Sequence, residues 1–178
     1  MFAVATVPGF PAWAGAGAAN VACFAGSFFF TTAAGMQLAL SNRSDRVEWY
    51  SAAVQLAGTL MFNLSTGAAV WAHAVGAERR YVWAPDATGS LAFLLSGALA
   101  MVAVTATAGL IDLRSRDWLA GAINMIGCVA FAVSAVAAFV RKTGVTADER
   151  LVNLGTFLGA LCFLAGALVL LPRADRPG

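Results

Sequence analysis

Charged side chains are scarce in this sequence. Of its 178 residues, 11 are Lys or Arg and 9 are Asp or Glu, which is 11% of the chain. Soluble globular domains carry about 25% charged residues, so this chain has too little charge to cover a water-facing surface. The hydrophobic share is 60% and the mean hydropathy is +0.78. This composition predicts an integral membrane protein that has the lipid bilayer as its first partner.

Histidine, cysteine and net charge are also low. The net charge of +2 comes without a basic patch, so nucleic acid is not expected as a partner. The single histidine, His73, is interpreted as an interfacial imidazole rather than a metal ligand. The cysteines Cys23, Cys128 and Cys162 fall in apolar segments and are interpreted as packing residues. We therefore predict no metal, no cofactor, no catalytic residue and no enzymatic activity.

Charge-free runs long enough to cross a membrane separate short clusters of charge. Backbone amides in lipid must be satisfied within the segment, so we predict an all-α integral membrane bundle of five transmembrane helices with short loops. The bundle is expected to occupy residues 19–172, followed by a polar tail at residues 173–178. The expected spans are residues 19–41, 50–73, 87–111, 118–140 and 151–171.

The N-terminal segment, residues 1–18, is apolar but contains Pro8, Pro11 and several glycines that disfavour a continuous helix. We expect it to lie at the membrane interface with Trp13 as its anchor; a re-entrant segment is the other interpretation. No positively charged stretch begins it, so a cleaved signal peptide is not expected. An uncharged segment crosses easily, which predicts a cell membrane protein with its N-terminus outside and its C-terminus cytoplasmic. Arginine outnumbers lysine in an alanine-rich and glycine-rich chain, which favours a bacterial origin.

One short register recurs in all the predicted helices: a glycine, a phenylalanine four residues later, and a small residue three further on. These positions share a helix face, where glycine admits a neighbouring backbone and phenylalanine fills the space beside it. The register predicts a helix-packing repeat; faces that converge on a shared cavity are the alternative. Its residues are Gly26, Phe30, Gly58, Phe62, Gly89, Phe93, Gly127, Phe131, Gly159 and Phe163. Three residues before each glycine stand Cys23, Gln55, Asp86, Asn124 and Thr156.

The last two helices carry this register after an asparagine, in "NMIGCVAFAVSAVAAF" (residues 124–139) and "NLGTFLGALCFLAGALVLLP" (residues 153–172). In these stretches the chain resembles the YrhK-like family of small bacterial membrane proteins. The resemblance implies a membrane protein and brings neither an activity nor catalytic residues.

A polar stripe runs along the second predicted helix, with Asn124 as a further amide on the fourth. Gln55, Thr59, Asn63 and Thr66 follow helical spacing and share one side of that helix. An unsatisfied amide in hydrocarbon costs several kcal/mol, so the stripe must face protein or water. Two interpretations stay open: hydrogen bonds between helices, or a polar pathway or ligand site.

The middle of each predicted span lacks Asp, Glu, Lys and Arg, which argues against proton-driven transport. Asp86, which follows Pro85, is expected simply to favour the N-terminal end of the third helix. The leading hypothesis is a small non-enzymatic channel-like or facilitator-like protein, alone or as a homo-oligomer, with a neutral polar path on the second helix. The alternative is an accessory or scaffold subunit bound to another membrane protein in a larger complex. A membrane enzyme acting on lipid is the third class.

Overall fold

The computed structural model describes residues 1–7, 9–72 and 74–171, and this part of the chain folds as a helical bundle. His73 and the tail at residues 173–178, for which predictions were made, lie outside the described residues. A π-helix over Glu78–Trp83 connects α5 to α6. The α-helices are α1 (Phe2–Thr6), α2 (Phe10–Ala14), α3 (Ala16–Leu40), α4 (Arg46–Ala68), α5 (Val75–Ala77), α6 (Ala84–Ala108), α7 (Arg116–Ala137) and α8 (Glu149–Leu170).

Four helices in the described ranges are long and apolar enough to cross a membrane, which is compatible with a multi-pass membrane protein. The prediction of an all-α membrane bundle is confirmed at this level, whereas the count of five spans is not. The helix left out is α4, which has 23 residues but carries charges at its start and the polar stripe along its length. The four are Ala16–Leu40, Val75–Ala108, Arg116–Ala137 and Glu149–Leu170.

Three of the long helices begin earlier than the sequence predicted because polar side chains cap their first turns. The side chain of Asp45 accepts hydrogen bonds from the first turn of α4, and Ser115 and Asp148 do the same for α7 and α8. Such caps satisfy backbone N–H groups that have no partner inside the helix. The expected helix starts were placed after the charged clusters, whereas the observed helices start directly after the capping residues.

The third predicted span is part of a longer helix. The structure continues it back from the expected start at residue 87 to Val75, so the charge cluster before it is helical rather than a loop. The Nε of Arg79 donates to the carbonyl of Val140 at 2.6 Å, and the Nε1 of Trp83 donates to the carbonyl of Ala135 at 2.9 Å. These bonds hold the π-helix against the end of α7. Pro85 has no N–H to donate, and the wider π turns lie directly before it.

The N-terminal segment has two parts with opposite surroundings. Glycines with positive φ break the helix, as expected: Gly9 (94°) separates α1 from α2, and Gly15 (85°) separates α2 from α3. Helix α1 packs against α3 and α8, and its Ala5 is fully buried. These contacts bury one side of α1 against the bundle, and the interfacial position of residues 1–18 stays a prediction. Helix α2 leaves Trp13 85% exposed.

The register residues bring α4 and α6 together as an antiparallel pair. A Cβ on Gly58 would lie 2.7 Å from the ring of Phe93, and one on Gly89 would lie 2.6 Å from the ring of Phe62. Each phenylalanine thus covers the glycine of the opposite helix. The two backbones can approach this closely only because neither glycine has a side chain.

Helices α7 and α8 repeat this reciprocal arrangement. A Cβ on Gly127 would lie 3.1 Å from the ring of Phe163, and one on Gly159 would lie 2.8 Å from the ring of Phe131. Gly26 of α3 is the exception, because its nearest neighbours belong to α1 rather than to another long helix.

The five register phenylalanines meet at the centre of the bundle, and we call them the phenylalanine layer. Neighbouring ring centroids lie 5.0–6.1 Å apart. Phe93 is fully buried, and Phe62 and Phe131 are nearly so. From α1, Phe2 reaches the edge of the layer and meets Phe62 with 6.5 Å between centroids. The layer is the hydrophobic core of the bundle.

Candidate functional site: two polar cavities

Two cavities lie on opposite sides of the phenylalanine layer. The larger, the Gln55 cavity, has a volume of about 400 Å³, and Phe30 and Phe163 form part of its wall. The smaller, the Asp86 cavity, has a volume of about 180 Å³, and Phe2 and Phe62 form part of its wall. The polar residues of the first are Gln37, Ser51, Gln55, Ser96 and Asn124. Those of the second are Thr6, Asn20, Ser65, Thr66, Asp86, Asn153 and Thr156.

The direction of the chain places the cavities at opposite ends of the bundle. Along α4, Gln55 comes before Phe62 and Thr66 comes after it. Because α6 runs antiparallel to α4, its Asp86, which precedes Phe93, lies at the end reached by Thr66. The phenylalanine layer therefore separates the two cavities.

The Gln55 cavity contains amide groups without protein partners. The side chain of Gln55 is only 9% exposed and makes no hydrogen bond to any residue in the described ranges. The Oδ1 of Asn124 is buried and likewise has no partner there. Burying a polar group without a hydrogen bond is costly. The Oδ1 of Asn124 is closed off from the cavity space, whereas the Gln55 amide lies at the cavity wall.

Ser51 and Ser96, at the wall of the same cavity, satisfy each other instead. The Oγ of each donates to the backbone carbonyl of the other at 2.9 Å. This pair fixes α4 to α6 at the end where the Gln55 cavity lies.

The Asp86 cavity combines one carboxylate with several neutral oxygens. Most of the neutral groups already have a partner: the Oγ1 of Thr66 donates to the carbonyl of Phe62 at 2.7 Å, and the Oγ1 of Thr156 lies 2.9 Å from the Oγ of Ser134. Asp86, by contrast, forms neither a hydrogen bond nor an ion pair within the described part of the chain. The carboxylate of Asp86 is therefore the charged group at this end that lacks a described partner, and the side-chain amide of Asn153 forms no described hydrogen bond either.

The predicted polar stripe on α4 does not form one continuous surface. Gln55 lies in one cavity and Thr66 in the other. Thr59 between them is fully buried and donates to the carbonyl of Leu56 at 2.8 Å, within its own helix. Asn63 turns toward α3, where its Nδ2 donates to the Oγ1 of Thr31 at 2.9 Å. The ends of the stripe belong to the cavities, and its middle holds helices together.

The residues three positions before the register glycines all line a cavity. Gln55 and Asn124 line the larger one, and Cys23, Asp86 and Thr156 line the smaller one. The phenylalanines four positions after the glycines close the space between them. Sequence reasoning identified these positions but missed the role of Asp86, because it assigned the residue to a helix start. Asp86 holds the same register position as Gln55 and Asn124, and this shared position could have predicted that its side chain faces the interior of the bundle.

The walls of both cavities contain groups that form hydrogen bonds, and the smaller one also contains a carboxylate. Within residues 1–7, 9–72 and 74–171, no group of three His, Cys, Asp or Glu side chains is placed to hold a metal ion. Amides, hydroxyls and one carboxylate suit the recognition of a small polar molecule or a cation.

Comparison with known proteins gives no relative: no family model matches this chain, and neither a curated protein nor a solved structure matches it. The resemblance of residues 124–139 and 153–172 to the YrhK-like family therefore stays a prediction.

Proposed function

We propose that this protein is a non-enzymatic, channel-like facilitator that lets a small neutral polar solute cross a membrane through the Gln55 and Asp86 cavities. One observation supports this function above others: two polar cavities lie at opposite ends of a single bundle, with only the phenylalanine layer between them. Facilitated passage of a polar solute needs polar groups on both sides of the membrane centre and a central barrier that can open. The bundle contains both features along one axis.

In this proposal the path uses only part of the stripe on α4. The Gln55 amide would hydrogen-bond a solute entering the larger cavity, whose wall also contains Asn124. Thr66 and Asn153 offer polar groups in the smaller cavity. Asn63 lies outside both walls and takes no part.

The phenylalanine layer acts as a closed gate. Phe62 and Phe93 are too well buried to move alone, whereas Phe30 and Phe163 are only partly buried and face the open volume of the Gln55 cavity. Rotation of these two rings would open a way past the layer. Side-chain rearrangements of this kind occur without unfolding of the helices.

We further propose that α4 is a fifth span and that the N-terminus lies outside and the C-terminus in the cytoplasm. Contacts with α6 follow α4 from Ser51 to Phe62, so a membrane that contains α6 also contains α4. The polar side chains that lower its hydropathy are buried against other helices, whereas Leu60 and Leu64 are about half exposed and would meet lipid. A helix shielded in this way does not need a fully apolar sequence.

The accessory-subunit alternative has less support. Its main argument was the repeated packing register, but the glycines and phenylalanines of α4, α6, α7 and α8 contact one another within the chain. These faces are therefore occupied and leave no free packing surface of that kind for another protein.

A liposome flux assay with glycerol as the probe tests the facilitator function. We expect wild-type protein to speed glycerol entry, Gln55→Leu to reduce the rate several-fold, and Asn63→Leu to leave it unchanged. Asn63→Leu is the matched control because it removes an amide from the same helix without altering either cavity wall.

Absence of wild-type flux for glycerol and for urea would overturn the proposal, as would equal rates in wild type and Gln55→Leu. Purification in mild detergent tests the accessory-subunit alternative. A stoichiometric membrane partner together with no flux would establish the accessory subunit instead.

A further inference from the structure

The carboxylate of Asp86 is partly buried at the wall of the Asp86 cavity. It is about three turns into the continuous helix Val75–Ala108 and two turns before Phe93 of the central layer. Ionisable groups inside membrane bundles are costly, and they normally pair with another group or mark an ion pathway. No basic side chain within the described ranges lies within ion-pair distance of Asp86, although it shares its cavity with six other polar side chains.

Neutral oxygens from several helices surround the same cavity. Ser65 and Thr66 come from α4, Asn153 and Thr156 come from α8, and Thr6 comes from α1. Ser65 is only 4% exposed, so its hydroxyl faces the interior. The donors therefore surround the cavity rather than forming a patch on one helix.

The C-terminal end of α4 adds to the negative potential. Ala69, which follows the last residue of α4, lies in the cavity wall, and its carbonyl already accepts a hydrogen bond from Asn20 at 2.9 Å. Helix C-termini carry a partial negative charge that favours cations. Helix ends and carbonyl groups of this kind coordinate sodium in membrane transporters.

We propose that the Asp86 cavity is a binding site for one alkali metal cation, of which sodium is the probe of choice. A single carboxylate among neutral oxygens balances one positive charge. Calcium sites recruit several carboxylates, and the single carboxylate here does not match that charge. A bare proton would need the carboxylate alone and would not require oxygens from several helices. A cavity of about 180 Å³ has room for a cation with several waters.

Cation binding at Asp86 does not depend on solute passage, so it can be tested without a flux assay. The purified full-length protein in detergent is heated in a titration of NaCl, with choline chloride holding the ionic strength constant at fixed pH. We expect Tm to rise saturably with sodium, because a ligand that binds only the folded state stabilises it.

Two carboxylate variants define the site. Asp86→Asn should abolish the sodium-dependent rise in Tm. Asp117→Asn, which removes an exposed carboxylate from the first turn of α7, should retain it. The Thr156→Val variant should weaken the apparent sodium affinity several-fold while keeping saturation.

The wild-type protein provides a readout even if Asp86→Asn fails to fold. The ²³Na NMR signal of a sodium chloride solution should broaden when the protein is added. It should narrow again when excess lithium chloride is added, because lithium competes for the site. Equal Tm values in NaCl and choline chloride, or an unchanged sodium response in folded Asp86→Asn, would overturn the proposal. Stabilisation that follows pH alone, without cation dependence at fixed pH, would also overturn it and identify a proton site.

Discussion

Phe62 of α4 and Phe93 of α6 stack on each other with 5.0 Å between ring centroids and 20° between ring planes. Each ring also covers the glycine that stands one turn before the other: Phe62 covers Gly89 and Phe93 covers Gly58. The two helices are therefore held by a reciprocal contact in which ring and glycine exchange roles. This contact explains why the spacing of four residues between glycine and phenylalanine matters on both helices.

Adding a methyl group at Gly89 should destabilise the bundle. Its Cβ would lie 2.6 Å from the ring of Phe62 and 3.0 Å from the carbonyl oxygen of Gly58, so both ring and backbone would have to shift. We expect Gly89→Ala to cost about 1–3 kcal/mol of unfolding free energy. Gly35→Ala is the control, because no atom lies within 4 Å of the added carbon there. Unfolding in a denaturing detergent measures both, and equal stability of the two variants would contradict this packing account.

Removing a ring from the phenylalanine layer should lower the free energy of unfolding more than removing a ring from the outer surface. Phe93 is fully buried and contacts the other four rings of the layer, whereas Phe29 on α3 is 71% exposed. We expect Phe93→Ala to lose about 3–5 kcal/mol, since the cavity left behind forfeits dispersion contacts. Phe29→Ala should change stability little. Thermal unfolding of the two purified variants checks the difference, and similar losses would show that the layer is not the core.

The two bonds between Ser51 and Ser96 should contribute separately to stability. Each hydroxyl donates to the backbone carbonyl of the other residue, so replacing one serine by alanine removes one bond and leaves the other in place. We expect Ser51→Ala and Ser96→Ala each to lower the unfolding free energy by about 0.6–1.7 kcal/mol, and the double variant to lose close to the sum. Unfolding free energies of the wild type, both single variants and the double variant provide the measurement. Single variants as stable as the wild type would mean that the bonds contribute nothing beyond local packing.

Arg116 should protect the end of α8. Its guanidinium donates to the backbone carbonyls of Val169, in the last turn of α8, and Leu171, directly after the helix. The carbonyls of a last helical turn have no partner within the helix. Cations at a helix C-terminus stabilise it by about 0.3–1 kcal/mol. We expect Arg116→Gln to speed hydrogen exchange of the last turn of α8 several-fold. Arg114→Gln removes an exposed guanidinium two residues earlier and should leave that exchange rate unchanged.

Much of the helical framework follows from composition and local pattern. Low charge and long apolar runs predicted a helical membrane bundle, because lipid leaves backbone groups no other partner. The expected spans overlap α3, α4, α6, α7 and α8 along most of their lengths. The boundaries were less accurate, since the spans were read from where charge ends and the helices start at capping residues.

The register of glycine and phenylalanine shows where sequence reasoning reaches its limit. Spacing on one helix tells that Gly58 and Phe62 share a face, yet it does not tell which helix that face meets. The reciprocal fit with Gly89 and Phe93 depends on the antiparallel alignment of α4 and α6 in three dimensions. The same holds for Asp86, whose neighbours Thr66 and Asn153 come from distant parts of the chain.

Local sequence was enough to predict an all-helical chain with runs long and apolar enough to cross a membrane, the approximate positions of its long helices, and the positions of the recurring register. These properties depend on hydropathy and on residues a few positions apart. Three features became visible only in the folded bundle: the polar stripe on α4 divides between two cavities, Asn63 binds Thr31, and the phenylalanines form one layer. The reason is physical: cavities and interhelical contacts are formed by side chains from several helices, and their meeting is set by packing rather than by spacing along one chain.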